Sequence, residues 1–422
     1  MAHLAPEEFL PSPIPLDSIH ELLTSLGLPK AETITVPDVT ATYHAIYRIR
    51  LEAPLPADKF AIPCKDAAQT VYEAKDLILR VSGNHLPGIK TRNEVGVMAW
   101  VAQQSTATGS IPIPIPSVVA YDDTLNNPLQ HEFTLLLRAR GATLCDVWPM
   151  LSSEQRDAVF DQIMDLLVTL HGNESWSHIG GLNIVDGRVV PARMVDESFW
   201  QTGSAHLWPA GETIDSLNLK GPYPSWPALV AAQMRHYTKL IRLHDSLAPL
   251  RNRLVPRLLA FAELLERPES EHAAEWQLAK ARLVLAHKDL HFANLLYSAD
   301  GNGKSGRITA VLDWEFSGVV PGPLWNPVRA FLWDAQPDDP DHSNTTSTRV
   351  AQFQDRVRAR NNPRMTSLLL DIQEYASPQQ EAMQDVANYV RALVEVCPRG
   401  QRQDRVADWT DIAHKNLDVF GV

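Results

Sequence analysis

The sequence predicts an α+β chain in which strands come first and helices dominate afterwards. Apolar, strand-like runs cluster early, at Glu32–Val36, Tyr43–Leu51, Leu77–Val81 and Phe133–Arg138. Helix-period stripes fill most of the chain from Ser152 onward. A third observation bears on function. The apolar runs Leu283–Ala286 and Ile308–Leu312 each deliver polar residues at one end. The first leads into His287-x-Asp289-x-x-x-x-Asn294, and the second into Asp313-Trp-Glu315, with Asp313 nineteen residues after Asn294.

Bulk properties set bounds. A length of 422 residues suits two or three compact units or one bilobal enzyme. The net charge of −12 gives no general support for nucleic acid or an anionic membrane as partner. Cys64, Cys145 and Cys397 are too few and too scattered for a disulfide framework or a zinc site. Residues 1–28 lack the basic start and apolar core of a signal peptide, and no apolar run approaches the roughly 20 residues of a membrane span. The expectation is a reduced, cytoplasmic setting, in which the sequons at Asn173 and Asn344 are irrelevant. Oligomeric state is not legible.

In chain order, a Pro-rich lead-in precedes a short amphipathic helix carrying Ile19, Leu22, Leu23 and Leu26. Two strands follow, joined by a loop over 37–44 that contains no glycine. After a loop insertion at 52–70, the buried strand Leu77–Val81 carries one cation, Arg80. A helix over Lys90–Gln104 shows an apolar stripe at Val95, Met98, Ala99 and Ala102, with Glu94 bordering it and facing inward. Ser152 and Gln155 form a capping box ahead of a long helix that ends at His171, read as a C-terminal cap. A hairpin over 179–191 leads into a stretch rich in Trp, Pro and Gly over 196–227. Helical pattern resumes at 228–265, broken near Pro249. Gly303-Lys304-Ser305 imitates a phosphate loop, but a strand follows where a helix should start, so it reads as a hairpin turn. A polar loop is expected at 334–347, then helices with breaks near Pro363 and Gly400.

The two apolar runs have the chemistry of phosphoryl transfer. One carboxylate, Asp289, would orient an attacking hydroxyl. An amide oxygen, Asn294, and a second carboxylate, Asp313, are hard ligands suited to Mg2+ on nucleotide phosphates. His287 is grouped with Asp289 as a catalytic-loop candidate, read as a brace rather than a base. His291 and Glu315 lie beside them. Lys288 is open between contact with an anion and exposure to water.

These segments resemble the catalytic loop and metal-binding segment of the aminoglycoside phosphotransferase and choline kinase family, relatives of the protein kinases. The usual text there is His-Gly-Asp-Leu-His-x-x-Asn-Leu-Leu, then Ile-Asp-Trp-Glu; here Lys288 replaces the glycine. The resemblance implies a two-lobed protein-kinase-like fold, with a small antiparallel-sheet N-lobe at 1–138 and a larger, mainly helical C-lobe at 139–422. It implies that Arg80 contacts nucleotide phosphates and pairs with Glu94, that Thr42 lies in the nucleotide loop, and that Arg138 and Gly141 flank a hinge where adenine meets backbone. Asn326 stands near a residue that braces the catalytic loop. The implied activity is an ATP-dependent (or GTP-dependent), Mg2+-dependent kinase acting on a small-molecule hydroxyl. Two alternatives stay open: a catalytically silent kinase-like binding protein, and a natural-product tailoring enzyme using the fold for other chemistry.

Overall fold

The computed structural model describes residues 10–37, 43–63, 74–104, 112–267, 276–300, 305–325 and 342–422. Thr42, Cys64, Asn326 and residues 334–341 lie outside the described residues, as does most of the Gly303 turn.

The smaller lobe contains α1 (Leu16–Ser25), β1 (Ala31–Thr35), β2 (His44–Leu51), β3 (Asp76–Ser82), α2 (Lys90–Gln104), β4 (Val118–Asp122) and β5 (Phe133–Leu137). Its strands form one antiparallel sheet in the order β1-β2-β3-β5-β4. The central strand β3 decides the layers through its period of two. Leu77, Leu79 and Val81 are fully buried against Leu135 and the α1 residues Ile19, Leu22 and Leu23. The alternate residues include Arg80 and Ser82, whose side chains reach α2. One strand thus builds a core with one face and presents polar groups with the other.

The larger lobe opens with β6 (Ala142–Thr143) and α3 (Ser153–His171). The expected capping box is present: Gln155 N–H donates to Ser152 Oγ at 3.3 Å, and Ser152 N–H to Gln155 Oε1 at 2.9 Å. The hairpin is β7 (Gly181–Val185) with β8 (Arg188–Ala192). After an irregular stretch come α4 (Trp226–Leu243) and α5 (Leu254–Glu266), separated by a short 3-10 turn containing Pro249. The strands β9 (Leu283–Ala286), β10 (Leu295–Ala299), β11 (Gly306–Val311) and β12 (Gly318–Pro321) follow. β9 pairs with β12, and β10 lies between β11 and β6. The chain closes with α6 (His342–Ala359), α7 (Pro363–Leu369), α8 (Pro378–Val396) and α9 (Val406–Asp418).

One expectation needs correction. The polar loop expected over 334–347 gives way to α6 from His342. The N-terminal half of α6 is polar all round, and its buried face, Phe353 and Val357 one turn apart, appears only later. His171 behaves as a structural residue: it is buried, with Nδ1 2.9 Å from Leu368 O. Among the described residues no helix is long and apolar enough to cross a membrane.

Candidate active site

The expected catalytic loop is the short connection between β9 and β10, and the expected metal segment is the one between β11 and β12. Their strands deliver both connections to one cleft beneath the small-lobe sheet. Lys288 and Asp313 both have left-handed backbone, with φ of 66° and 64°. That conformation is uncommon for a residue with a Cβ and costs about 1 kcal/mol or more. At Lys288 it explains why a glycine would also fit.

His287 is fully buried and bridges the two connections. Its Nε2 lies 2.8 Å from Leu312 O, and its Nδ1 lies 3.3 Å from Asp289 N–H. A carbonyl only accepts, so Nε2 carries the proton and Nδ1 accepts from Asp289. Burial holds the imidazole down at about 4, so it stays neutral. Its backbone carbonyl accepts from Ser317 Oγ at 3.0 Å. Every one of these bonds is to the protein. Among the sequence candidates grouped as catalytic, His287 therefore has the geometry of a positioning residue.

Asn294 donates from Nδ2 to Asp289 O and to Asp289 Oδ2, both at 2.9 Å, which leaves Oδ1 as its remaining ligand atom. His291 Nε2 lies 3.5 Å from Asp289 Oδ1. The Asp289 carboxyl is pushed up to about 7, first by burial, then by the charges of Asp313 and Glu197, against the Asn294 bond. Asp313 and Glu197 therefore place further negative charge close to Asp289. Such a field, with hard oxygen donors from Asn294 and Asp313, fits a divalent cation. Among the described residues no group of three or more His, Cys, Asp and Glu side chains is placed to hold a metal. Mg2+ suits this, since it commonly takes one or two protein carboxylates plus phosphate and water.

Arg80 connects the lobes. It is ion-paired to Glu94 on α2, and its Nη2 donates to Asp313 Oδ1 at 2.7 Å. Burial pulls the guanidinium pKa down, but Glu94, Asp313 and Glu315 outweigh it and raise the net value. The structure thus brings Arg80, Glu94, Asp289, Asn294 and Asp313 into one cleft.

A second buried cluster lies behind Arg80. Lys90, fully buried at the start of α2, is 3.6 Å from Glu315 Oε2 and hydrogen-bonds Ser82 Oγ. His44 Nδ1 lies 3.3 Å from Arg80 Nη2, and its Nε2 lies 3.4 Å from Lys90 Nζ and 3.6 Å from Glu315 Oε2. Asn93 donates to Glu315 O at 2.9 Å and Ser317 O at 2.8 Å, and accepts from Leu182 N–H at 3.0 Å. Burial raises the Glu315 carboxyl and lowers the Lys90 ammonium, while each charge favours the other. The sequence reading missed Lys90, Asn93 and His44. A signal existed: Lys90, Asn93 and Glu94 follow the i, i+3, i+4 spacing of one helix face.

The remaining candidates fall as follows. Arg138 N–H donates to Asp76 O at 2.9 Å, at the end of the small-lobe sheet. Gly141 has φ of 121°, and a Cβ there would meet Tyr297 O at 2.6 Å. Close packing of β6 on β10 is therefore sufficient reason for this glycine. Lys288 meets neither of its two expectations. Its Nζ donates to Val195 O at 3.0 Å and to Asp196 Oδ2 at 3.4 Å, pinning the irregular stretch after β8 to the catalytic loop.

A family model described as the phosphotransferase enzyme family matches residues 65–322, more than half of the chain, which therefore belongs to that family. Among characterised sequences the chain is similar to the clavilactone A biosynthesis cluster protein Y of Ampulloclitocybe clavipes, 34% identical over 94 residues. That match covers 22% of this chain and 22% of the relative, so the chain spans under a quarter of the relative's length. Among solved structures it is similar to aminoglycoside phosphotransferase APH(4)-Ia in complex with ADP and hygromycin B, 14% identical, with 95% and 98% of the two chains covered and a TM-score of 0.42. It is also similar to the streptomycin–ATP–APH(2")-IIa complex, 10% identical, with 96% and 97% covered and a TM-score of 0.46. A third is the choline kinase LicA of Streptococcus pneumoniae, 12% identical, with 96% and 99% covered and a TM-score of 0.37.

Proposed function

We propose that the chain transfers the γ-phosphate of ATP to a hydroxyl of a small molecule, with Mg2+ held by Asn294 Oδ1 and Asp313. The observation that carries this reading is the convergence of Asp289, Asn294 and Asp313 from two connections with Arg80 from the other lobe. Asp289 orients the acceptor hydroxyl and takes up its proton as the phosphoryl group arrives. Bound Mg2+ supplies charge neutralisation at the phosphate oxygens. Arg80, held by Glu94, turns from Asp313 toward the nucleotide phosphates, and Thr42 is a further phosphate contact. His287 keeps Asp289 in register. Backbone between Arg138 and Gly141, at the lobe boundary, meets the base, and GTP is the second nucleotide to compare. The free thiols of Cys145 and Cys397 support a reducing, cytoplasmic setting.

The test is product mass. Incubation with ATP, Mg2+ and a library of hydroxyl compounds should add one phosphoryl group to at least one of them, and Asp289→Asn should lose this by about 100-fold or more. Nucleotide binding with no phosphorylated product from any compound would instead favour the silent binding protein, and a product of another mass the tailoring reading.

A further inference from the structure

A cavity of about 460 Å³ opens beside the catalytic loop, between β9 and β12 on one side and α4 and α8 on the other. Its size is that of a small-molecule site. Lys288, the residue before Asp289, and Phe316, three residues after Asp313, form part of its wall. Most of the wall is apolar: Trp200, Leu229, Tyr237, Val319, Trp325 and Val394 represent it from five separate segments.

Two of the acidic groups at the wall are held by cations. Asp196 is held by Lys288 at 3.4 Å. Glu395 is held by two arginines, Arg391 at 2.8 Å and Arg399 at 2.6 Å. The wall carries the carboxylates of Asp196, Glu197 and Glu395 and the cations of Lys288 and Arg391, with Asp196 and Glu395 held in these ion pairs. His236 adds no charge: burial lowers its pKa, and its Nε2 is 2.8 Å from Leu217 O. Gln233 Oε1 on α4 is buried at the wall without a hydrogen-bond partner. A buried acceptor of this kind costs about 1–3 kcal/mol unless something donates to it.

We propose that this cavity receives a neutral alcohol with an apolar aromatic or alicyclic body, bearing a second hydrogen-bond donor for Gln233, and that it does not receive a polycation. This rests on the kinase reading for the identity of the reacting group, but the recognition stands on the cavity alone. A polycation would have to displace paired arginines or lie against apolar rings with its charges unpaired. A neutral ring compound loses water-exposed apolar area and meets the unpaired amide oxygen.

Calorimetric binding to the full chain tests this, with naphthylmethanol and hydroxynaphthylmethanol as neutral probes and kanamycin as the polycation. Titration of Mg2+ and ATP is run in parallel. Both neutral probes should bind, the hydroxylated one up to about tenfold tighter, as one added hydrogen bond allows. Gln233→Leu should erase that difference. Ala387→Phe, which places a ring in the cavity from α8, should weaken both by about tenfold or more. If Ala387→Phe does not melt cooperatively, Gln233→Leu decides alone. Binding of kanamycin in preference to both neutral probes, or failure of both variants to alter neutral-probe binding, would overturn the proposal, as would no binding of either neutral probe. Neutral-probe binding without nucleotide binding would leave the cavity assignment standing and remove the kinase reading; the converse would do the opposite.

Discussion

Replacing Arg80 by Met removes the one guanidinium that faces both Glu94 and Asp313. Glu94 is 2% exposed and Asp313 31% exposed, so the first carboxylate has no access to water once its partner has gone. At an effective dielectric of about 20, a unit-charge contact at these distances is worth on the order of 5 kcal/mol gross. Desolvation offsets much of this, and removal of one member of a buried pair costs about 3–5 kcal/mol net. The pH dependence is specific. Burial raises the Glu94 carboxyl and Arg80 lowers it, so in the variant it rises further above its unfolded value. A group with a raised folded pKa contributes stability that is fully present below the unfolded pKa and lost as pH climbs through the folded one. The penalty of Arg80→Met should therefore grow between about pH 5 and about pH 8, by up to about 1.4 kcal/mol per unit wherever Glu94 is neutral in the folded variant but ionised in the folded wild type. Urea denaturation of both proteins at the two ends of that range measures it. An equal penalty at both ends, or one under about 1 kcal/mol throughout, would refute the account of a buried charge held by Arg80.

Three further outcomes follow from named contacts. Asn93→Leu leaves two carbonyls and one N–H without their partner, and should cost about 3–5 kcal/mol in chemical denaturation. Gly141→Ala drives a Cβ against Tyr297 O at left-handed φ and should lower stability by about 1–3 kcal/mol, read as a fall in melting temperature. His287→Leu keeps the volume but frees Leu312 O and Asp289 N–H, so turnover should fall while nucleotide affinity changes little; calorimetry beside a rate assay separates the two.

Most of the cleft was legible because its residues sit on short connections with dense local constraints. His287, Asp289 and Asn294 lie within one turn-sized segment, and Asp313 follows from the partner hairpin. Arg80 and Glu94 could be joined because a lone cation on a buried strand and an inward glutamate on the next helix leave few other solutions. What escaped detection depends on distant pairing. Asn93 meets the backbone of Glu315 and Ser317 more than two hundred residues away, and its helix-face spacing with Lys90 and Glu94 does not tell what it meets. Lys90 was read only as the first residue of a helix, and its buried partners His44, Ser82 and Glu315 come from β2, β3 and the segment after β11. Lys288 was undecidable because its partner, Asp196, belongs to the irregular stretch after β8. The cavity needs five segments at once, and α6 hid behind a polar first half.

The central claim is a magnesium-dependent nucleotide site built on Asp313 and Asn294. Calorimetric titration of ATP, with and without Mg2+, on the wild type and on Asp313→Ala tests it most directly. The account predicts binding that strengthens with Mg2+ in the wild type and loses that dependence in the variant, with Arg80 still paired to Glu94 and the fold intact. Equal Mg2+ dependence in both proteins would contradict the placement of the metal, and no binding of ATP or GTP at millimolar concentration would contradict the kinase reading itself.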